Sequence, residues 1–187
     1  MSDRNGKIFC TSIASLSHIS KERRSVRAYR AAPTHEELVA ILTDAQQAPS
    51  WKNSQTTRWY VVENPKKHEE MRQALHVANQ NKVANAAMIV STYVRDIAGF
   101  TKGEPDNEIG NGWGAYDLGL HDAYLLLAAK NAGFDTLIMG LRDGEKIREI
   151  LAIPENEEVL SVIAVGRRGE EPTFRPRKEL NEIVKFY

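Results

Sequence analysis

Apolar positions Leu38, Ile41, Leu42 and Ala45 recur at helical spacing, and Thr34 with Glu37 forms a capping box ahead of them. The pattern predicts a helix over residues 34–48, stopped by Pro49. Residues 116–131 form the strongest helical segment. Leu118, Ala123, Leu125, Leu126 and Leu127 spread apolar character over a broad arc, so this helix is expected to be mostly buried, with Gly133 at its C-terminal end. Shorter helices are predicted at residues 10–22 (Ile13, Leu16 and Ile19 on one side), 66–75, 77–83, 144–151 and 178–186. Residues 59–62, 87–93, 136–139 and 159–165 are rich in β-formers and predict strands. Gly99, Gly103, Pro105, Gly110 and Gly112 interrupt residues 96–113, which reads as a long loop of the kind that often carries function. Residues 1–9 read as a loose polar segment and residues 167–177 as an arginine- and proline-bearing tail loop. Interspersed strands and helices predict a layered α/β or α+β fold, one domain over residues 1–187.

Composition narrows the function classes. Apolar residues make up 42% and charged residues 27%, as in an ordinary globular protein. Lysine plus arginine and aspartate plus glutamate are 25 each, without the basic excess of a dedicated nucleic-acid binder. The longest clean apolar stretch, residues 123–129, is too short for a membrane span, and the N-terminus lacks the layout of a secretory signal. Cys10 is the only cysteine, which excludes an intrachain disulfide, a thiolate metal cage and a Cys-x-x-Cys redox pair, so a cytoplasmic location is expected. His18, His35, His68, His76 and His121 are scattered without metal-ligand spacing. Asp117 and Asp122 read as helix-end charge, solvent-facing or hydrogen-bonded.

Against this neutral background stands a basic cluster, Arg23-Arg24-Ser25-Val26-Arg27-Ala28-Tyr29-Arg30. A solvated face, a nucleic-acid contact and a site for a phosphorylated ligand are the readings it allows. Guanidinium forks match phosphate bidentately and a serine hydroxyl adds a donor, which favours the last. A second segment, Ala48-Pro49-Ser50-Trp51-Lys52-Asn53-Ser54-Gln55, is either a plain turn or a ligand-lining one, since Ser, Asn and Gln offer donors and acceptors. Gly110-x-Gly112-x-Gly114 does not follow a predicted strand and is not read as a dinucleotide fingerprint. Trp113 reads either as packing or as a stacking wall for a substrate.

Taken in order, these motifs resemble the nitroreductase family of FMN-dependent oxidoreductases. Glu-Arg-Arg-Ser-Val-Arg-Ala-Tyr comes first, then a helix, then Ala-Pro-Ser-x-x-Asn-Ser-Gln before a strand. There follow Trp113-Gly-Ala-Tyr-Asp117, Ala132-Gly-Phe-Asp-Thr-Leu-Ile-Met-Gly140, Leu151-Ala-Ile-Pro154, Val165-Gly166 and Arg175-Pro-Arg177. The resemblance covers residues 15–187. Thr56-Thr57 stands where the family often has Pro-Trp, with Trp59 two positions on.

The resemblance implies an α+β, three-layer nitroreductase-like fold, with a mostly antiparallel central sheet flanked by helices in an intertwined homodimer. It implies FMN as cofactor, NADH or NADPH as electron donor, and a small-molecule acceptor such as a nitroaromatic or quinone, reduced by ping-pong hydride transfer through flavin N5. By position, Arg23, Ser25, Arg175 and Arg177 would hold the FMN phosphate, with Arg24 supporting the pocket. Arg27 would approach flavin N1 and the C2 carbonyl, Asn79 would add a polar contact, and the Met139-Gly140 backbone would face N5. Ser50, Trp51 and Asn53 would reach the flavin from the second subunit, and Arg30 has no ligand role. A specialised flavoenzyme of the same fold and a non-enzymatic binder are the alternatives; nucleic acid and membrane are not expected partners.

Overall fold

The computed structural model describes residues 15–187, so Cys10, Ile13 and the 1–9 segment lie outside the described residues. The chain runs α1 (Leu16–Glu22), β1 (Tyr29–Ala31), α2 (His35–Ala45), β2 (Thr57–Val62), α3 (Pro65–Gln73) and α4 (Val77–Gln80). It continues through β3 (Ala87–Val94), β4 (Phe100–Thr101), β5 (Glu104–Pro105) and α5 (Gly112–Asn131). The last elements are β6 (Asp135–Met139), α6 (Gly144–Leu151), β7 (Glu157–Arg168) and α7 (Leu180–Ile183).

β7 is the hub of the sheet. It pairs antiparallel with β1, β3 and β6, and β3 pairs antiparallel with β2. Alternate residues of these strands face opposite layers. Val62, Val90, Leu137 and Val162 face α3 and α6, where Met71 and Ile147 are fully buried. Ile89, Ile163 and Val165 face α2 and α5, meeting Ile41, Leu125 and Ala129. The molecule is therefore helix, sheet, helix: the expected α+β three-layer arrangement with an antiparallel sheet.

Local sequence accounts for the element ends. Thr34 Oγ1 accepts Glu37 N while Glu37 accepts Thr34 N, closing the expected capping box of α2. Gly133, at φ 83°, turns the chain out of α5 as glycine can.

Four elements differ from expectation. β1 was not predicted; Tyr29 and Ala31 pair with Arg168 and Arg167 far along the chain, which no local pattern reveals. The 96–113 segment is not a structureless loop, since β4 and β5 form a small hairpin within it. α5 starts at Gly112 rather than at 116, despite two glycines that weaken helix propensity. Close packing explains the glycine at 114, because a Cβ there would lie 2.4 Å from the Tyr93 ring. The last helix is confined to Leu180–Ile183, a single turn rather than 178–186.

Candidate flavin site between α5 and the sheet

The link from α1 into β1 lies along β6. Ser25 forms a parallel bridge with Thr136, and Val26 N donates to Thr136 O at 3.1 Å. This fixes Arg23 and Ser25 beside the sheet face that α5 only partly covers. A cavity of about 730 Å³ opens there, lined by Arg23 and Ser25, by Asp122 of α5, and by Thr136, Ile138 and Ser161 of the sheet. The hydroxyls of Thr136 and Ser161 are buried and have no hydrogen-bond partner among the described residues. Buried hydroxyls left unpaired are costly, so a cavity lined by them suits a polar ligand.

Arg24, Arg175 and Arg177 line an adjoining cavity that shares Ser20 with the first. Arg24 donates to Arg23 O at 2.8 Å and to Lys21 O, and its guanidinium lies 5.2 Å from the centre of the Phe174 ring. Arg23 is held below the usual arginine range by desolvation, then by the charges of Arg177 and Arg24, with Asp135 opposing them. None of Arg23, Arg24, Arg175 and Arg177 is in an ion pair among the described residues. Asp135 is instead engaged by Lys130 at 3.2 Å and by both sides of the Arg168 fork at 3.0 and 3.1 Å. Guanidiniums crowded together outside any ion pair, with only Glu22 as a carboxylate in the lining of the adjoining cavity, make a site that an anion relieves.

The remaining expected site residues are more dispersed. Arg27 is exposed, with its guanidinium donating to Ser25 O at 3.2 Å, and it does not line the cavity. Asn79 is buried in α4, where its Oδ1 accepts Lys82 Nζ at 2.9 Å. His76 N donates to Leu141 O at 3.1 Å, which holds α4 beside the exposed Gly140. The Met139 side chain is buried in the α3–α6 layer, so only its backbone is available near β6's outer end. Arg30, to which no ligand role was assigned, is exposed and donates from Nε to Arg168 O at 2.6 Å.

Ser50, Trp51 and Asn53 form a separate cluster at the N-terminal part of α5. Trp51 N donates to Asp117 Oδ2 at 2.8 Å, and the Trp51 and Trp113 rings are 4.6 Å apart. Trp113 continues the cluster to Tyr116 at 5.7 Å, and Lys52 reaches Asp106 at 3.4 Å. Ser50 Oγ accepts Gln55 N at 3.0 Å. Asn53 is exposed. None of these three residues lines the arginine cavities.

Sequence reasoning missed the floor of the cavity. Asp117 and Asp122 are buried and hydrogen-bonded, the second of the two expected readings, and of the two Asp122 alone lines the cavity. Desolvation holds both carboxyls above the usual aspartate range. Trp59 Nε1 and Ser91 Oγ donate to Asp122 Oδ1 at 3.1 and 2.9 Å. Trp59 thus occupies β2 as a donor to α5 as well as aromatic bulk. Asp122 does not stand out in a helix pattern, because its partners Trp59 and Ser91 are distant in sequence. No group of three or more metal-ligating side chains occurs among the described residues, and no described helix is long and apolar enough to cross a membrane.

Comparison with known proteins gives this geometry a family. The NADPH-flavin oxidoreductase of Vibrio harveyi is 29% identical over 168 residues, covering 86% of this chain and 69% of that one. A nitroreductase family protein from Streptococcus pneumoniae superposes with a TM-score of 0.82 at 20% identity, covering 92% of this chain and 100% of the other. A structure from Exiguobacterium sibiricum solved in complex with FMN has a TM-score of 0.80 at 21% identity, covering 93% and 98%. The nitroreductase family model matches residues 20–167, most of the chain, including the arginine cluster, the Ser50 turn, α5 and β6. The chain belongs to the nitroreductase family.

Proposed function

We propose that the protein is an FMN-dependent oxidoreductase that takes electrons from NADH or NADPH and passes them, in ping-pong order, to nitroaromatic or quinone-like acceptors. The observation that carries this reading is the convergence of Arg23, Arg24, Arg175 and Arg177, none of them in an ion pair among the described residues, beside a cavity whose floor holds two unpartnered hydroxyls. A phosphate at one end and a polar, planar group along the sheet match that donor set, so the residues fit FMN.

FMN supplies the two-electron chemistry when bound; the chain's residues bind and orient it and tune its surroundings. Arg23, Ser25, Arg175 and Arg177 hold the phosphate, with Arg24 braced on Phe174 behind them. The buried hydroxyls of Thr136 and Ser161 lie in the sheet beneath the cavity. Asn79 is a polar contact for the pyrimidine edge, where Lys82, fixed on it, adds a positive charge; Arg27 joins that edge only by turning away from Ser25 O. The Met139-Gly140 backbone faces the reactive edge.

The reading includes a homodimer with the site at the interface. Two facts support it. Ile138 and Leu160 of the sheet, which line the cavity, are exposed apolar side chains, and Tyr116 and Tyr124 of α5 are exposed too, a surface that a second copy covers. Ser50, Trp51 and Asn53 lie apart from their own chain's arginines, as expected if they complete the second copy's site.

Anaerobic mixing of the FMN-loaded protein with each nicotinamide tests the reading. Bleaching of the flavin absorbance by NADH or NADPH, and its return on adding a quinone or nitroaromatic, is the expected result. A loaded protein that neither nucleotide reduces would contradict it.

A further inference from the structure

Among the described residues that line the main cavity, Arg23 and Asp122 are the ionisable ones. They stand towards opposite ends of it. The 23–26 stretch is pinned to Thr136, which lies across from Val165 on β7. Asp122 is pinned by Ser91, which lies across from Ser161 on the same strand. From Val165 to Ser161 the strand runs about 13 Å at roughly 3.3 Å per residue. On the reading above, with phosphate at the Arg23 end, the ring lies towards Asp122. Met139 lies across from Val162, so Gly140, the residue assigned to the reactive edge, comes next to Ser161.

Asp122 is 6% exposed and its two oxygens differ. Oδ1 accepts both donors, Trp59 Nε1 from β2 and Ser91 Oγ from β3. Oδ2 accepts no hydrogen bond from the described residues, yet the carboxylate lines the cavity. The neighbours that face it from β2, β3 and β7 are the uncharged Trp59, Ser91 and Ser161. On α5 itself His121 is adjacent, with Nδ1 bonded to Asp117 O at 2.9 Å and its ring 5.9 Å from that of Trp59. Burying a carboxylate is expensive, and a neutral amide could satisfy the same two donors. The charge itself is therefore the feature to be explained.

We propose that Asp122 tunes the bound flavin: its carboxylate, fixed at the ring end of the cavity, opposes the gain of negative charge and holds the flavin's reduction potential down. This rests on the FMN reading of the same cavity. The consequence is a stronger reductant for the acceptor, at the expense of driving force from NAD(P)H. Asp122 acts as a positioning and electrostatic residue; it donates no electron.

Potentiometric titration of the FMN-loaded protein at neutral pH, against a reference dye, tests this with Asp122→Asn. The variant should retain FMN and shift to a more positive potential. At fixed dye poise its ratio of reduced to oxidised flavin should rise on the order of tenfold, as one charge roughly 10 Å away requires at an effective dielectric of about 20. Trp59→Phe, which removes one donor and keeps the carboxylate, should give no positive shift. FMN-loaded Asp122→Asn with an unchanged potential would overturn the proposal and leave the FMN reading standing. A wild-type protein that takes up no FMN would overturn both.

Discussion

Trp51 N–H donates to Asp117 Oδ2 at 2.8 Å, tying the Ser50–Gln55 turn that follows α2 to the long helix α5 of the same layer. The acceptor is a carboxylate on a residue only 3% exposed, and its partner is a backbone group, so turn and helix move together. Asp117→Ala should cost about 1.5–3 kcal/mol of stability, the range for a hydrogen bond to a charged group. Denaturant unfolding of the apo-protein reads it. If the turn completes the second copy's site, FMN affinity should fall too; a variant with unchanged stability would show that the contact is not formed in solution.

Asp122 makes a separate pH prediction. Burial holds its carboxyl above the usual aspartate range. The native state therefore binds more protons than the unfolded chain between the ordinary and the raised value, and stability falls as pH rises through that window. Relative to wild type, apo Asp122→Asn should melt higher at neutral pH, with the gap closing as the pH falls from the raised value to the ordinary aspartate value and staying constant below it. A variant that melts lower at neutral pH would contradict this sign.

Arg177 presses on Arg23 electrostatically, and both are assigned to one phosphate. Arg177→Ala should weaken FMN binding by roughly tenfold or more, the loss expected for a charge-assisted contact. Riboflavin, which has no phosphate, should bind variant and wild type alike. Equal losses for both ligands would remove Arg177 from the phosphate site.

Gly99 shows how the β4–β5 region is held. It sits at φ 81°, and a Cβ there would lie 2.4 Å from Trp113 Cδ1. Gly99→Ala should destabilise the protein by about 1–3 kcal/mol, since strain and the collision with Trp113 act together. Differential scanning calorimetry measures it, and an unchanged melting temperature would mean that Trp113 is free to move aside.

The sequence was most legible where the determinants are local. Thr34 and Glu37 announce α2 because capping chemistry and helical spacing fall within one short segment. The arginine cluster stood out as a candidate because its members are contiguous, and its place beside β6 adds that Arg23 lines the cavity while Arg27 does not. Asp122 was not legible. α5 is apolar over so much of its circumference that periodicity could not say which polar residues turn inward, and the donors from Trp59 and Ser91 arrive from strands far back in the chain. β1 was hidden for the same reason, since its short ladder exists only once β7 is in place.

The most direct test is the stoichiometry of FMN binding to the apo-protein, followed by flavin fluorescence with the oligomeric state measured in the same sample. The account predicts saturation at one FMN per chain on a dimer, so two equivalent sites per particle. A protein that stays colourless and unsaturated with excess FMN, or that binds it as a monomer, would contradict a flavin site built between two copies of this chain.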